Sequence, residues 1–250
     1  MPDISARFQT ASQLQDALGI DMFLTGAPGA GKTTFIGSAA DDEEYYGYIL
    51  ILDCIGGMRT LLDRDGISFF TPATWKDVTD TVKLLKETNH DYKVVAVDLV
   101  TGAYKLALEQ VMKEGATTAK GQPTLEGYGV ANKRLIDMVE DLRSLSLTRG
   151  THVVLTSHTT ETKDEETGAV LIRPNLTPGT LNAIVGACDV VTYLDIKKDK
   201  REMHLVGTNR YWAKVRRPRS LGPVPQTIEQ PTFGELVSLL KIGVVGGEQG

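Results

Sequence analysis

The sequence predicts an α/β fold, a mainly parallel central sheet flanked by helices with antiparallel strands toward the C-terminus, and three observations predict it. Four short apolar runs, at residues 22–25, 48–53, 93–98 and 151–157, alternate with stretches of helical character, the βα pattern of a parallel sheet. The second and third runs end in carboxylates, Asp53 and Asp98, where the strands of an open sheet present ligand-binding groups. Between the first run and a helical segment stands Gly26-Ala27-Pro28-Gly29-Ala30-Gly31-Lys32-Thr33, which fits G-x-x-x-x-G-K-[ST] at every fixed position, with Thr34 behind it.

The spacing of that motif follows from phosphate chemistry. Glycines let the backbone wrap closely, so that successive N–H groups point inward at the positive end of the following helix. Lys32 is then placed to reach β- and γ-phosphates, and the Thr33 hydroxyl to ligate Mg²⁺. The alternative is a glycine-rich turn without a ligand; Lys and Thr together between strand and helix argue against it. The stretch reads as a nucleoside triphosphate site.

In chain order, residues 1–20 read as an N-terminal extension packed on the core, weakly helical from Ala11 to Leu18. Thr34 to Ala40 opens the helix after the motif, and Asp41 to Glu44 is an acidic surface run. Tyr48 to Asp53 is a buried parallel strand, followed by a tight turn at Gly56-Gly57 and a possible third strand from Ile67 to Phe70. Thr74 is placed to cap a helix from Trp75 to about Thr88, with Val78, Val82 and Leu85 on one face. Lys93 to Asp98 is the next buried strand. Asp98 either holds Mg²⁺ through water or caps the following helix, and the upstream motif favours the metal role.

Glycines and threonines between Glu114 and Gly129 predict a surface loop, and Ala131 to Thr148 a long amphipathic helix. Thr151 to Ser157 is a buried strand with His158 just past its end, and a second loop is expected from Thr159 to about Thr167. Ala169 to Arg173 and Cys188 to Asp195 read as strands. Glu202 to Val206 and Arg210 to Val215 are expected to pair antiparallel through a turn at Gly207 to Arg210. Phe233 to Ile242 is a closing helix, and 243–250 a flexible tail.

A chain of 250 residues accommodates one full α/β domain, here 21–242, and no linker-like stretch divides it. No apolar run is long enough to span a membrane and no signal segment is evident, so the expected location is the cytoplasm. Cys54 and Cys188, the two cysteines, lie in apolar runs as reduced core residues, and with four scattered histidines they form no zinc-like spacing. The net charge of −5 argues against a general nucleic-acid binder, yet Lys197 to Arg219 holds nine Lys/Arg against Asp199 and Glu202. That segment is either a basic face for phosphates or an acidic neighbour, or a solvated strand pair.

Together, the motif with Thr33-Thr34, Ile51-Leu52-Asp53 before Gly56-Gly57, Val94 to Asp98, Leu155-Thr156-Ser157-His158 and Lys214-Val215-Arg216 resemble the RecA-like ATPase core over roughly residues 20–220. More closely, the chain looks like the short, single-domain RecA-like ATPases of bacteriophages, of the AAA-domain or recombination type. The resemblance implies a cytoplasmic, Mg²⁺-ATP-dependent ATPase of RecA/DnaB-like core. It further implies a homo-oligomer, ring or filament, that acts on single-stranded DNA in phage recombination or replication beside phage single-strand-binding or replication proteins. ATP would be held by residues 26–34 and Mg²⁺ by Thr33 and Asp98. His158 matches the polar residue that senses the γ-phosphate. Lys214 and Arg216 match a Lys-x-Arg pair inserted into the neighbouring subunit's site, where an arginine contributes ~10³–10⁵ in rate.

Two positions depart from familiar patterns. Leu99 follows Asp98, so the Asp-Glu pair usual in the AAA+ class is absent. Ile55 occupies the place of the water-orienting glutamate; either Asp53 takes that task or hydrolysis is slow. Two other readings therefore stand beside the ATPase. One is a nucleotide-gated interaction module with little turnover. The other is a small-molecule P-loop kinase whose lid is built from Arg216, Arg217 and Arg219.

Overall fold

A computed structural model of the chain describes residues 18–163 and 168–241. In chain order these form β1 (Asp21–Gly26), α1 (Lys32–Gly37) continued by a 3-10 turn, β2 (Ile49–Asp53), β3 (Ile67–Phe70), α2 (Trp75–Glu87), β4 (Val94–Asp98), α3 (Val100–Lys113) and α4 (Leu125–Arg149). There follow β5 (His152–Lys163), β6 (Val170–Pro174), α5 (Pro178–Ala187), β7 (Val190–Lys197), β8 (Lys200–His204), β9 (Lys214–Val215), β10 (Thr227–Glu229) and α6 (Phe233–Lys241). The expected extension up to residue 17, the acidic residues 164–166 and the tail 243–250 lie outside the described residues.

The strands join in the order β3-β2-β4-β5-β1-β7-β8-β10. β3 to β7 along that path are parallel, while β8 and β9 pair antiparallel with β7. This is the α/β fold of a P-loop NTPase with antiparallel strands toward its C-terminal part. Alternation of side chains sends successive residues of each strand to opposite faces. Met22, Leu24, Ile49, Ile51, Val94 and Ala96 pack under α1 and α6 with Phe35 and Phe233. Phe23, Leu50, Leu52, Val95 and Val97 pack under α2, α3, α4 and α5. With both faces covered, the central strands carry the near-continuous apolar runs visible in the sequence.

Local chemistry explains two of the helix ends. Thr74 Oγ1 accepts from Asp77 N (3.2 Å) and Asp77 Oδ2 from Thr74 N (2.8 Å), a reciprocal cap worth about 1 kcal/mol. Gly150 ends α4 at φ 69°, a left-handed conformation that glycine adopts without strain.

Several elements differ from the sequence reading. The loop expected up to Gly129 ends sooner, because Thr124 Oγ1 accepts from Gly127 N (3.0 Å) and starts α4 at Leu125. Gly127 suits that turn because it packs against Ala116. The loop expected at 159–167 is largely a β-ribbon. β5 continues to Lys163, and its threonine-rich end, suited to extended backbone, pairs with β6 from Thr159↔Pro174 to Lys163↔Val170. Helices α3 and α5 were not delimited in the sequence.

The expected hairpin between 202–206 and 210–215 does not form. Lys198 and Asp199, at φ 49° and 64°, make a tight turn that folds β8 back onto β7 instead. The other flank of β8 is taken by β10, and Lys214–Val215 pairs with the start of β7. A turn closes locally at Thr208 N→Tyr211 O (3.0 Å) without strand pairing across it.

Candidate functional site

The site forms where β1, β5 and β4 end side by side. The loop after β1 turns into α1 through Gly31, whose φ of 100° and lack of a side chain let the chain reverse. Gly26 is needed for a different reason: a Cβ there would stand 2.5 Å from Leu194 O on β7. The first bond closing α1 is Phe35 N→Gly31 O (2.8 Å), so the N–H groups of Lys32, Thr33 and Thr34 have no intrahelical acceptor.

Lys32 is buried and its ammonium has three donors. It donates to Gly26 O (2.8 Å) and Ala27 O (2.9 Å), and lies 3.1 Å from His158 Nδ1. Burial, opposed by the Asp98 charge, lowers its pKa to about 8, so it remains mostly protonated near neutrality. His158 is shifted down by burial and then by the Lys32 cation, which keeps the imidazole neutral and able to accept at one nitrogen. The register Gly26↔His158 between β1 and β5 brings the two together.

Asp98 is 1 % exposed at the end of β4. Its Oδ2 accepts from Thr33 Oγ1 (2.6 Å) and its Oδ1 from Thr156 Oγ1. The sequence reading did not assign Thr156 a role. The signal was present: Thr156 and His158, two apart on a strand, share a face. Because β5 lies between β1 and β4, that face spans the gap between Lys32 and Asp98. A cavity of about 260 Å³ opens over these groups, lined also by Pro28, Gly29, Ile55, Thr60 and Arg201.

This strand–loop–helix with its neighbouring strand-end acid is a phosphate site in geometry, and a comparison of sequence agrees. A protein-family model described as AAA domain matches residues 18–217. The chain belongs to the AAA domain family. No curated protein matches it.

Membership of the AAA domain family points to a nucleotide-binding ATPase, which typically uses Mg²⁺. The residues fit both. Unpaired N–H groups and the Lys32 ammonium converge as a phosphate site requires. Thr33 Oγ1 and Asp98 Oδ2 offer two adjacent hard oxygens suited to Mg²⁺. Among the described residues no cluster of three His, Cys, Asp or Glu forms a metal cage, so phosphate and water oxygens would complete the coordination. A bound Mg²⁺ supplies charge neutralisation at the phosphates.

The remaining expected residues lie elsewhere or are otherwise engaged. Asp53 is 2 % exposed, and its oxygens accept from Ile55 N (3.3 Å), Gly57 N (2.9 Å) and Met58 N (3.3 Å). It closes the turn after β2, the backbone role that competes with water activation. Ile55 is 51 % exposed and lines the cavity, whose lining includes Asp98 as its carboxylate. Leu99 is buried. Cys54 is half-buried and Cys188 buried, both as free thiols; burial pushes the Cys54 thiol up to about 12, so neither is poised as a thiolate.

Lys214 and Arg216 do not join their own site. Lys214 pairs with Val191, level with Phe23 and three residues back from Gly26, ~10 Å along the strand direction. Lys214 Nζ donates to Val185 O, and Arg216 donates to Gly186 O (2.8 Å) while lying 4.0 Å from Asp189. Both cations thus sit on the carbonyl end of α5, the negative pole of that helix. Burial and then Arg216 lower the Lys214 pKa. Arg217 is held by Leu239 O (2.8 Å), Leu221 O (3.0 Å) and Gly222 O (2.7 Å), so the arginine lid of a kinase reading is not assembled from Arg216 and Arg217.

The basic segment is also less free than its composition suggests. Lys197 lies 3.7 Å from Glu202 and Lys200 2.9 Å from Glu229. Arg201 is the member that reaches the site, and no sequence signal marks it.

Proposed function

We propose that this chain hydrolyses Mg²⁺-bound ATP as a RecA-like oligomeric ATPase in phage DNA recombination or replication, acting on single-stranded DNA. The observation that carries the ATP part is the convergence of Lys32, Thr33, Asp98 and His158 over one cavity. In this reading the N–H groups at the start of α1 and the Lys32 ammonium bind the phosphates. Thr33 and Asp98 hold the metal, and Thr156 keeps Asp98 aimed at it. His158, neutral and beside Lys32, feels the γ-phosphate displace the lysine and passes that change into the β5–β6 ribbon. The oligomeric and DNA parts rest on the resemblance of the Lys214–Arg216 pair and on the exposed cations of the basic segment.

A second reading is favoured by a specific observation. Asp53 is engaged by three backbone N–H groups and Ile55 lines the cavity, so no evident base for water stands there among the described residues. A nucleotide-gated switch would need none. ATP turnover measured across protein concentration, with and without single-stranded DNA, separates the readings. The ATPase reading expects turnover per protomer to rise with concentration and with DNA, and to vanish in Asp98→Asn, which still binds ATP. Tight ATP binding and ATP-dependent assembly without ADP formation would favour the switch. Wild-type ATP affinity in Lys32→Ala would remove both.

A further inference from the structure

Arg201 is the cation of its segment that lines the phosphate cavity. Its backbone is held twice by one residue: Gln230 N donates to Arg201 O (2.7 Å) and Arg201 N to Gln230 Oε1 (3.1 Å). Its side chain, by contrast, makes no hydrogen bond or ion pair among the described residues, and its Nε is sequestered from solvent without an acceptor. An unsatisfied buried donor is costly, and the Nε atoms of Arg143 and Arg217 share it; what singles Arg201 out among the described residues is that its whole guanidinium is unpartnered where it lines the phosphate cavity.

The geometry says which ligand. Arg201 pairs with Ile196, two residues beyond Leu194, the partner of Gly26; it therefore stands just past the end of β1, over the loop. The Arg201 stem packs directly on Gly31, where a Cβ would collide with Cδ and Nε. Two cavities meet at this point. One, about 260 Å³, holds Lys32, Thr33, Asp98 and His158. The other, about 240 Å³, runs past Thr34, Phe35 and Ser38 toward Asp41, Arg64 and Gln230. Gly31, Thr34 and Arg201 line both.

We infer that Arg201 is a nucleotide-binding residue acting in its own protomer, donating to the α-phosphate at the junction of the two cavities. This inference rests on the nucleotide reading above. With Lys32 at the β- and γ-phosphates, the α-phosphate falls beside the first turn of α1, next to Thr34, where Arg201 also stands. The nucleoside then extends into the second cavity. A guanidinium is suited to this position because its planar donors can grip two phosphate oxygens at once.

The test uses the full chain and titration calorimetry with ADP and with ATP, at protein concentrations low enough that no assembly forms. Arg201→Met keeps the aliphatic stem over Gly31 and removes the donors. Arg201→Lys restores one charge, and Lys120→Ala removes an exposed cation that lies outside both cavities. Arg201→Met should weaken ADP and ATP about tenfold or more, the range expected for losing a charged hydrogen bond. Arg201→Lys should recover part of that loss, and Lys120→Ala should bind as wild type does. An unchanged melting temperature without ligand would show that the fold is intact. Arg201→Met binding ADP within about twofold of wild type would overturn the inference while leaving the nucleotide reading standing. No binding of either nucleotide by the wild type would overturn both.

Discussion

Replacing Asp53 distinguishes a catalytic carboxylate from a structural one. Asp53 Oδ1 accepts from Ile55 N and Gly57 N, and Oδ2 from Met58 N. Asp53→Ala leaves three N–H groups without acceptors at or below the surface, each costing ~1–3 kcal/mol when buried. The Met58 N–H is buried and the other two partly so, giving a loss of about 3–5 kcal/mol. Asp53→Asn keeps an oxygen for Ile55 and Gly57 but turns an NH₂ toward Met58, for about 1–2 kcal/mol. In a chain of this size the alanine change should lower the melting temperature by ~6–20 °C and the asparagine change by ~2–8 °C, at ~2–4 °C per kcal/mol. Thermal unfolding followed by circular dichroism, beside ATP turnover on the same samples, is the assay. If Asp53→Ala melts with the wild type yet loses turnover, the turn-closing role is wrong and Asp53 is the base that the position of Ile55 leaves wanting.

Three further outcomes follow from the geometry. Gly26→Ala forces a Cβ against Leu194 O and should destabilise by about 1–3 kcal/mol, read by denaturant unfolding, and weaken nucleotide affinity, read by calorimetric titration. Asp21 is buried, and burial, with Asp189 adding to it against Ser146 and Arg143, raises its pKa from 3.8 to about 7. The folded state therefore binds the proton more tightly than the unfolded one, and this stability is present below pH 3.8 and lost as pH rises toward 7. Between pH ~5.5 and ~7.5 the wild type should lose about 2 kcal/mol from this group, and Asp21→Asn should flatten that part of the denaturant midpoint profile; equal slopes would refute it. If Lys214 and Arg216 act on a neighbour, Arg216→Ala protomers should bind ATP but not turn it over, and mixing them with Lys32→Ala protomers should restore activity. Co-assembled mixtures that stay inactive would instead leave both cations as caps of α5.

The sequence by itself determined what depends on near neighbours. Gly26 to Thr33 announced a phosphate loop because its chemistry is written in consecutive residues, and Asp53 and Asp98 marked strand ends because a buried strand is a continuous apolar run. Thr74 announced α2 because a cap needs only Asp77, three residues on.

What it did not determine depends on which strands become neighbours. The insertion of β5 between β1 and β4 sets His158 beside Lys32 and Thr156 beside Asp98, contacts across separations of 126 and 58 residues. The tight turn at Lys198-Asp199 gives β8 to β7 rather than to residues 210–215. That pairing carries Arg201 to the loop and leaves Lys214 at the far end of β7. Strand pairing of this kind is decided by burial of whole faces and by closure of long loops, and neither leaves a mark on any short stretch of chain.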